Sequence, residues 1–215
     1  MAAKTLRELA GEFGEIRVSG TDDPGVEIAL IGVDTTAILQ QVRHVDDDAA
    51  RRRLVKDLLW KELGVADLNE FVSTRAITWK GTERTVELVF ANVRDKDLAD
   101  DRFLPEAPGA LRVVVDYPFD EGDHSPAEDR HRVWRLRERL DQPLTLAWLP
   151  SFLSGDRLAE LGDLVVISHV LERRDRLDEL TPQLTTDDRH HARTQLESRA
   201  HYQARGRTQE GVRGR

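Results

Sequence analysis

Along the chain the apolar positions switch between a period of two and a period near 3.6, which predicts strands and helices in turn. Leu6, Leu9 and Phe13 share one face of a short helix over 4–13. Ile16 to Val18 and Val26 to Ile31 read as two strands around Asp22-Asp23-Pro24-Gly25, whose turn chemistry makes a hairpin near 16–31. Residues 36–42 form a short helix with Ile38, Leu39 and Val42 inward. In the next helix Leu54, Val55, Leu58, Leu59 and Leu63 make the buried stripe, Trp60 lies at its edge and Gly64 closes it. Strict alternation on both sides of Lys80-Gly81 predicts a second hairpin near 77–90, with Trp79, Val86, Leu88 and Phe90 as core.

The central pattern follows. Leu111 to Asp116 is an apolar run of consecutive valines, as in a strand covered on both faces, and Pro118 ends it. Ser125-Pro126-Ala127-Glu128 starts a helix with Ser at the N-cap, Pro at the first position and Glu reaching back. Val133, Leu136, Leu140 and a more marginal Trp134 give that helix one apolar face, and Leu144 to Leu149 is the next strand. Strand, helix, strand in this order predicts a parallel βαβ unit with strands near 111–116 and 144–149. Ser154 caps the following helix. Leu164 to Leu171 is ambiguous through Val165-Val166-Ile167, but continuity with Leu158 and Leu161 favours helix. Helical spacing continues from Asp175 to about Arg205, with Gly206 to Arg215 frayed. The fold class is therefore α/β, a mixed sheet with two hairpins and a helical C-terminus. Residues 1–185 form a single α/β domain and 186–215 a charged helical arm that packs loosely.

Composition narrows the classes. The 215 residues hold no cysteine, so disulfides and thiolate chemistry are excluded, and no run of 18 apolar residues suggests a membrane span. Without a secretory signal, the expected address is cytoplasmic. Seven arginines against four acids give residues 185–215 a charge of +3, so the chain's −8 leaves −11 on residues 1–184. An acidic body does not attract DNA; a DNA contact, if any, belongs to the arginine-rich arm. Asp46-Asp47-Asp48 ahead of Arg51-Arg52-Arg53 suits a helix dipole and reads as a solvated face.

Candidate chemistry gathers behind the Val113 strand. Asp116, Asp120 and Asp123, with Glu121 and His124, put hard oxygen ligands on one turn and are the candidate metal ligands, for magnesium or calcium. The spacing is not an EF-hand, and a solvated turn with an N-terminal helix cap accounts for it better. Leu111-Arg-Val-Val-Val-Asp116 has the outline of a Walker B strand, but Tyr117 follows the acid and no Gly-x-x-x-x-Gly-Lys-Ser/Thr cradle exists. Lys80-Gly81-Thr82 has the wrong order. No Gly-x-Ser-x-Gly, His-Glu-x-x-His or Gly-x-Gly-x-x-Gly occurs, so no catalytic residue is assigned.

Four phrases together carry a resemblance: Arg53 to Val65 (RLVKDLLWKELGV), Trp79 to Arg94 (WKGTERTVELVFANVR), Val114 to Pro126 (VVDYPFDEGDHSP) and Trp148 to Ser154 (WLPSFLS). Over residues 10–200 the chain resembles an internal region of the large PglY-type ATPases of phage growth limitation and BREX phage-exclusion systems. The resemblance implies membership in an anti-phage complex beside a methyltransferase and a phosphatase-like partner. It also implies that ATP and magnesium belong to a separate P-loop region of the family, so no cofactor is expected in this chain, which reads as a fragment or split product. Two functions follow: a non-catalytic module of a phage-defence ATPase acting through protein–protein or protein–DNA contacts, or a small metal-dependent hydrolase using the Asp116 to His124 cluster.

Overall fold

The structure is a computed structural model that describes residues 33–66, 70–119, 125–140 and 144–211, with the backbone of 16–19 and 25–28 and without the side chains of 202 and 205–211. Strands β1 (Ile16–Ser19) and β2 (Gly25–Ile28) pair antiparallel in the expected first hairpin. The helix expected over 4–13 lies outside the described residues.

The main sheet has four strands in sequence order: β3 (Ser73–Trp79), β4 (Thr82–Phe90), β5 (Leu111–Val115) and β6 (Thr145–Trp148). β3 and β4 form the second hairpin, antiparallel with Ile77 opposite Arg84. Its turn is Lys80-Gly81 with φ of 50° and 74°, the positive pair that a two-residue I′ connection needs. β4–β5 and β5–β6 are parallel, Val89 facing Val114 and Val114 facing Ala147, so the βαβ unit is as the patterning predicts. Its crossover is helix α3 (Pro126–Arg139). Ser125 holds the N-cap position in extended conformation, but its hydroxyl caps nothing.

Helices cover both faces of the sheet. On one, Leu136 of α3 packs with Val89, Val114, Val93 and Phe103. On the other, helix α2 (Asp48–Leu63) lays Trp60 over Val86 and Leu88. Asp47 caps α2 by accepting Ala50 N–H at 2.7 Å, and Gly64 ends it at φ 61°. Trp60, expected at the edge, is fully buried because Ser73 Oγ accepts its indole N–H at 2.8 Å, which removes the cost of burying the donor. Leu63, expected inside, is exposed instead. Trp79 is not core either: it is 62% exposed, one step beyond Ile77, the last β3 residue against the Trp60 cluster. Trp134 likewise faces outward.

A second core is helical. α1 (Thr35–Gln41), α4 (Gly155–Glu172), α5 (Arg174–Leu180) and α6 (Thr186–Gly211) enclose Ile38, Leu39, Val42, Val166, Ile167, Val170, Leu177, Ala192 and Leu196. The Val165-Val166-Ile167 run is thus helix, as expected. It is buried because α4 meets other helices on several sides, not because it joins a sheet. The first turns of α6 are anchored rather than loose, since Ala192 and Leu196 have no exposed surface. The helix also continues to Gly211, past the expected fraying point at Gly206.

Candidate functional site

The carboxyl ends of β4, β5 and β6 meet the first turn of α3, the position where open α/β sheets carry their ligands. Asp116 follows β5 there. Its backbone N–H donates to Trp148 O at 3.0 Å, and its Oδ1 accepts Val93 N–H at 2.9 Å, so the carboxylate joins the ends of three strands. Beside it, Arg94 pairs with Asp129 of α3 at 2.9 Å, both side chains nearly enclosed. The Arg94 guanidinium also stands 5.1 Å over the Phe152 ring. Tyr117 continues the cluster, 4.8 Å from Phe90 and stacked on Phe119 at 6.0 Å, with Arg52 above its ring at 5.7 Å.

Burial sets the electrostatics. Asp116 is 1% exposed, and desolvation pushes its carboxyl up to about 6; Asp129 nearby adds to the rise, while the Val93 N–H and the Arg94 charge oppose it. Burial also raises the Tyr117 phenol. Asp116 therefore points inward and is committed to the backbone. Asp120 and Asp123, its suggested companions, lie outside the described residues, as do Glu121 and His124. Among the described residues no group of three or more His, Cys, Asp or Glu is placed to hold a metal ion.

Sequence reasoning missed a second buried ionic pair. Glu87 of β4 and Arg112 of β5 are register partners, 2.8 Å apart and fully enclosed. Glu87 also accepts the N–H groups of Glu106 and Ala107 at 2.8 and 2.7 Å, which fastens the 105–109 loop to the sheet. Arg112 Nε and Nη1 have no hydrogen-bond partner among the described residues. The alternation around Val86 and Leu88 turned Glu87 outward on paper. The signal available was the lone arginine inside the Leu111 to Val115 run, which a doubly covered strand does not carry without an acid beside it.

On the surface, the α2 side of the sheet is open at β6. Leu144, Leu146 and Trp148 share that face, 54%, 54% and 43% exposed, with Leu111 beside them. β6 is also the outer strand, with no strand partner on its far edge among the described residues. Three arginines of α6 are occupied by the body: Arg189 donates to Thr181 O, Arg193 to Arg174 O, and Arg199 pairs with Asp163 of α4. Among the described residues no helix is long and apolar enough to cross a membrane.

Sheet, cover and ionic clusters define an α/β module in which the buried charges hold strand ends, loop and helix together. Residues 38–211 match the family model described as the PglY fourth domain, and the chain belongs to that family. It is an internal region of a PglY-type protein, and so a module of the Pgl and BREX kind of phage defence. No solved structure matches it.

Proposed function

We propose that this chain is a non-catalytic docking module of a phage-defence protein, working in the cytoplasm through protein–protein contact with other components of the system. The open strip on β6 carries the reading. Three large apolar side chains in register on one uncovered sheet face make a patch of the sort that marks interaction surfaces. An unpaired strand edge runs alongside it, ready to add backbone hydrogen bonds to a partner. The interior acids support the non-catalytic half: Asp116 and Asp129 are turned toward Val93 N–H and Arg94. Lys80-Gly81 forms a hairpin turn rather than a phosphate cradle, which supports the reading that the chain alone neither binds ATP tightly nor hydrolyses it. The arm is less suited to DNA than its composition implies, because Arg189, Arg193 and Arg199 are engaged within the chain.

The test is Leu146→Asp in the full-length protein within its defence system. Leu146 is half exposed, so the isolated chain should keep its melting temperature while phage protection falls at equal protein level. Full protection by the variant would refute docking through β6. Calorimetric titration with ATP and magnesium checks the other half: no binding is expected, and micromolar binding abolished by Asp116→Ala would revive a nucleotide site.

A further inference from the structure

The outward face of α3 was absorbed neither by the fold nor by the β6 strip, and it lies on the opposite side of the sheet. The helix carries Arg130, Arg132, Arg135, Arg137 and Arg139 in 14 residues. Two of these are internal ties: Arg132 and Arg139 both pair with Asp100, at 2.7 and 2.9 Å, and so fix the turn Asp100–Phe103 against α3. The other three, Arg130, Arg135 and Arg137, are exposed and have no ion-pair partner among the described residues. They span seven positions, about 10 Å along a helix rising 1.5 Å per residue.

Aromatic groups are set among these cations. Trp134 is 61% exposed, its indole N–H donates to Glu138 at 2.9 Å, and the Arg137 guanidinium lies 6.0 Å from its ring. On the turn that Asp100 ties to α3, Arg102 stands 5.4 Å over Phe71, which is 44% exposed. Between α3 and β6 opens a cavity of about 340 Å³ lined by Phe103, Val133, Leu136, Leu140 and Ala147, with Arg137 also on its wall. That volume admits a nucleobase, and its lining is mostly apolar, with Thr145 and Arg137 as its polar members.

The geometry points to a single-stranded nucleic acid on this face, its phosphates at Arg130, Arg135 and Arg137 and its bases on Trp134 and in the cavity. Free arginines supply phosphate contacts, and an exposed indole supplies a stacking platform that tolerates any base. An acidic peptide would use the cations but would leave the indole and the cavity without a purpose. A duplex hides its base faces and would use only the charges. Because the chain is acidic overall, binding belongs to low ionic strength.

The test is fluorescence anisotropy with a labelled oligothymidylate of about 20 nucleotides, titrated with the full chain over a series of KCl concentrations. Expected is saturable binding that weakens with salt at a log–log slope near −2, from about three phosphates at roughly 0.7 each. Arg130→Glu, Arg135→Glu and Arg137→Glu together should abolish it, and Trp134→Ala should weaken it by about tenfold, since stacking is worth that much or more per base. All four positions are exposed, apart from Arg137's share of the cavity wall, so unchanged circular dichroism and melting temperature will confirm folding. Binding should survive Leu146→Asp, which separates this surface from the docking strip. Three results would overturn the assignment: no binding at low salt; binding lost instead through Arg207→Glu and Arg213→Glu in the tail; or equal binding of duplex and of polyglutamate with Trp134→Ala indifferent.

Discussion

Asp116 shows what one buried carboxylate does to the energetics of the chain. Its ordinary value near 3.8 is raised to about 6, chiefly by burial, so the native state holds the proton more tightly than the unfolded state. A carboxyl of this kind contributes stability that is fully present below its unfolded value and is lost as pH rises through the folded one. The loss from this group between pH 4 and 7 is up to about 3 kcal/mol, at roughly 1.4 kcal/mol per unit. Asp116→Asn keeps an acceptor for Val93 N–H and removes the titration. Urea unfolding of both proteins at pH 4.5 and 7.5 should show the variant gaining on the parent by about 2 kcal/mol at the higher pH. An equal difference at both pH values would mean that Asp116 is not desolvated as the structure has it. Asp116 was legible in the sequence as the end of a strand; its inward aim was not, because only the path of the chain after β4 and the placement of α3 bring Val93 N–H and Asp129 to it.

Among the elements, α4 carries a close approach at Gly162. Gly162 stands buried in mid-helix, and Asp46 explains it: a Cβ added there would sit 2.8 Å from Asp46 Cγ and closer still to Oδ2. Asp46 cannot easily move, since Arg51 holds both its oxygens at 2.7 and 2.8 Å and Arg43 stands at 3.7 Å. In an exposed helix Gly→Ala stabilises by about 1 kcal/mol. Here Gly162→Ala should instead destabilise, by about 1–2 kcal/mol, because overpacking displaces a paired carboxylate. In an Asp46→Ala background the same change should turn neutral or stabilising, so a double-mutant cycle by thermal unfolding checks the contact directly. Additive effects would show that Gly162 is there for another reason. The same helix explains the ambiguity of its sequence: a β-branched run suits either a strand or a helix buried on several sides, and only the helices around it decide.

At the scale of the whole molecule, α6 is both surface and core. Leu196 and Ala192 close the helical cluster against Val166, Ile167 and Val170, and Asp163 of α4 pairs with Arg43 on one side and Arg199 on the other. Leu196→Ala should therefore cost about 2–5 kcal/mol, the range for emptying a fully buried leucine site. Removal of residues 189–215 should lower the melting temperature sharply or prevent soluble expression. A truncated chain as stable as the parent, measured by thermal unfolding, would return α6 to the role of a detachable arm.

The linear pattern by itself determined the elements that rest on local physics: both hairpins, the parallel β5–α3–β6 unit, the inward Ile38, Leu39 and Val42, and the Gly64 stop. Turn chemistry, periodicity and caps act within a few residues, so they can be read there. Only the tertiary structure decided which faces are covered. Alternation marks one face of β4 as apolar, yet α2 and α3 cover both, which puts Glu87 and Arg112 inside and obliges them to pair. Trp60 went in and Trp79 out because a side chain's burial depends on the element that crosses it, and Ser73 was there to accept the indole of the first. The charged C-terminal helix was read as loose because charge is visible in a sequence, whereas the two residues that anchor it, Ala192 and Leu196, matter only once α4 lies against them.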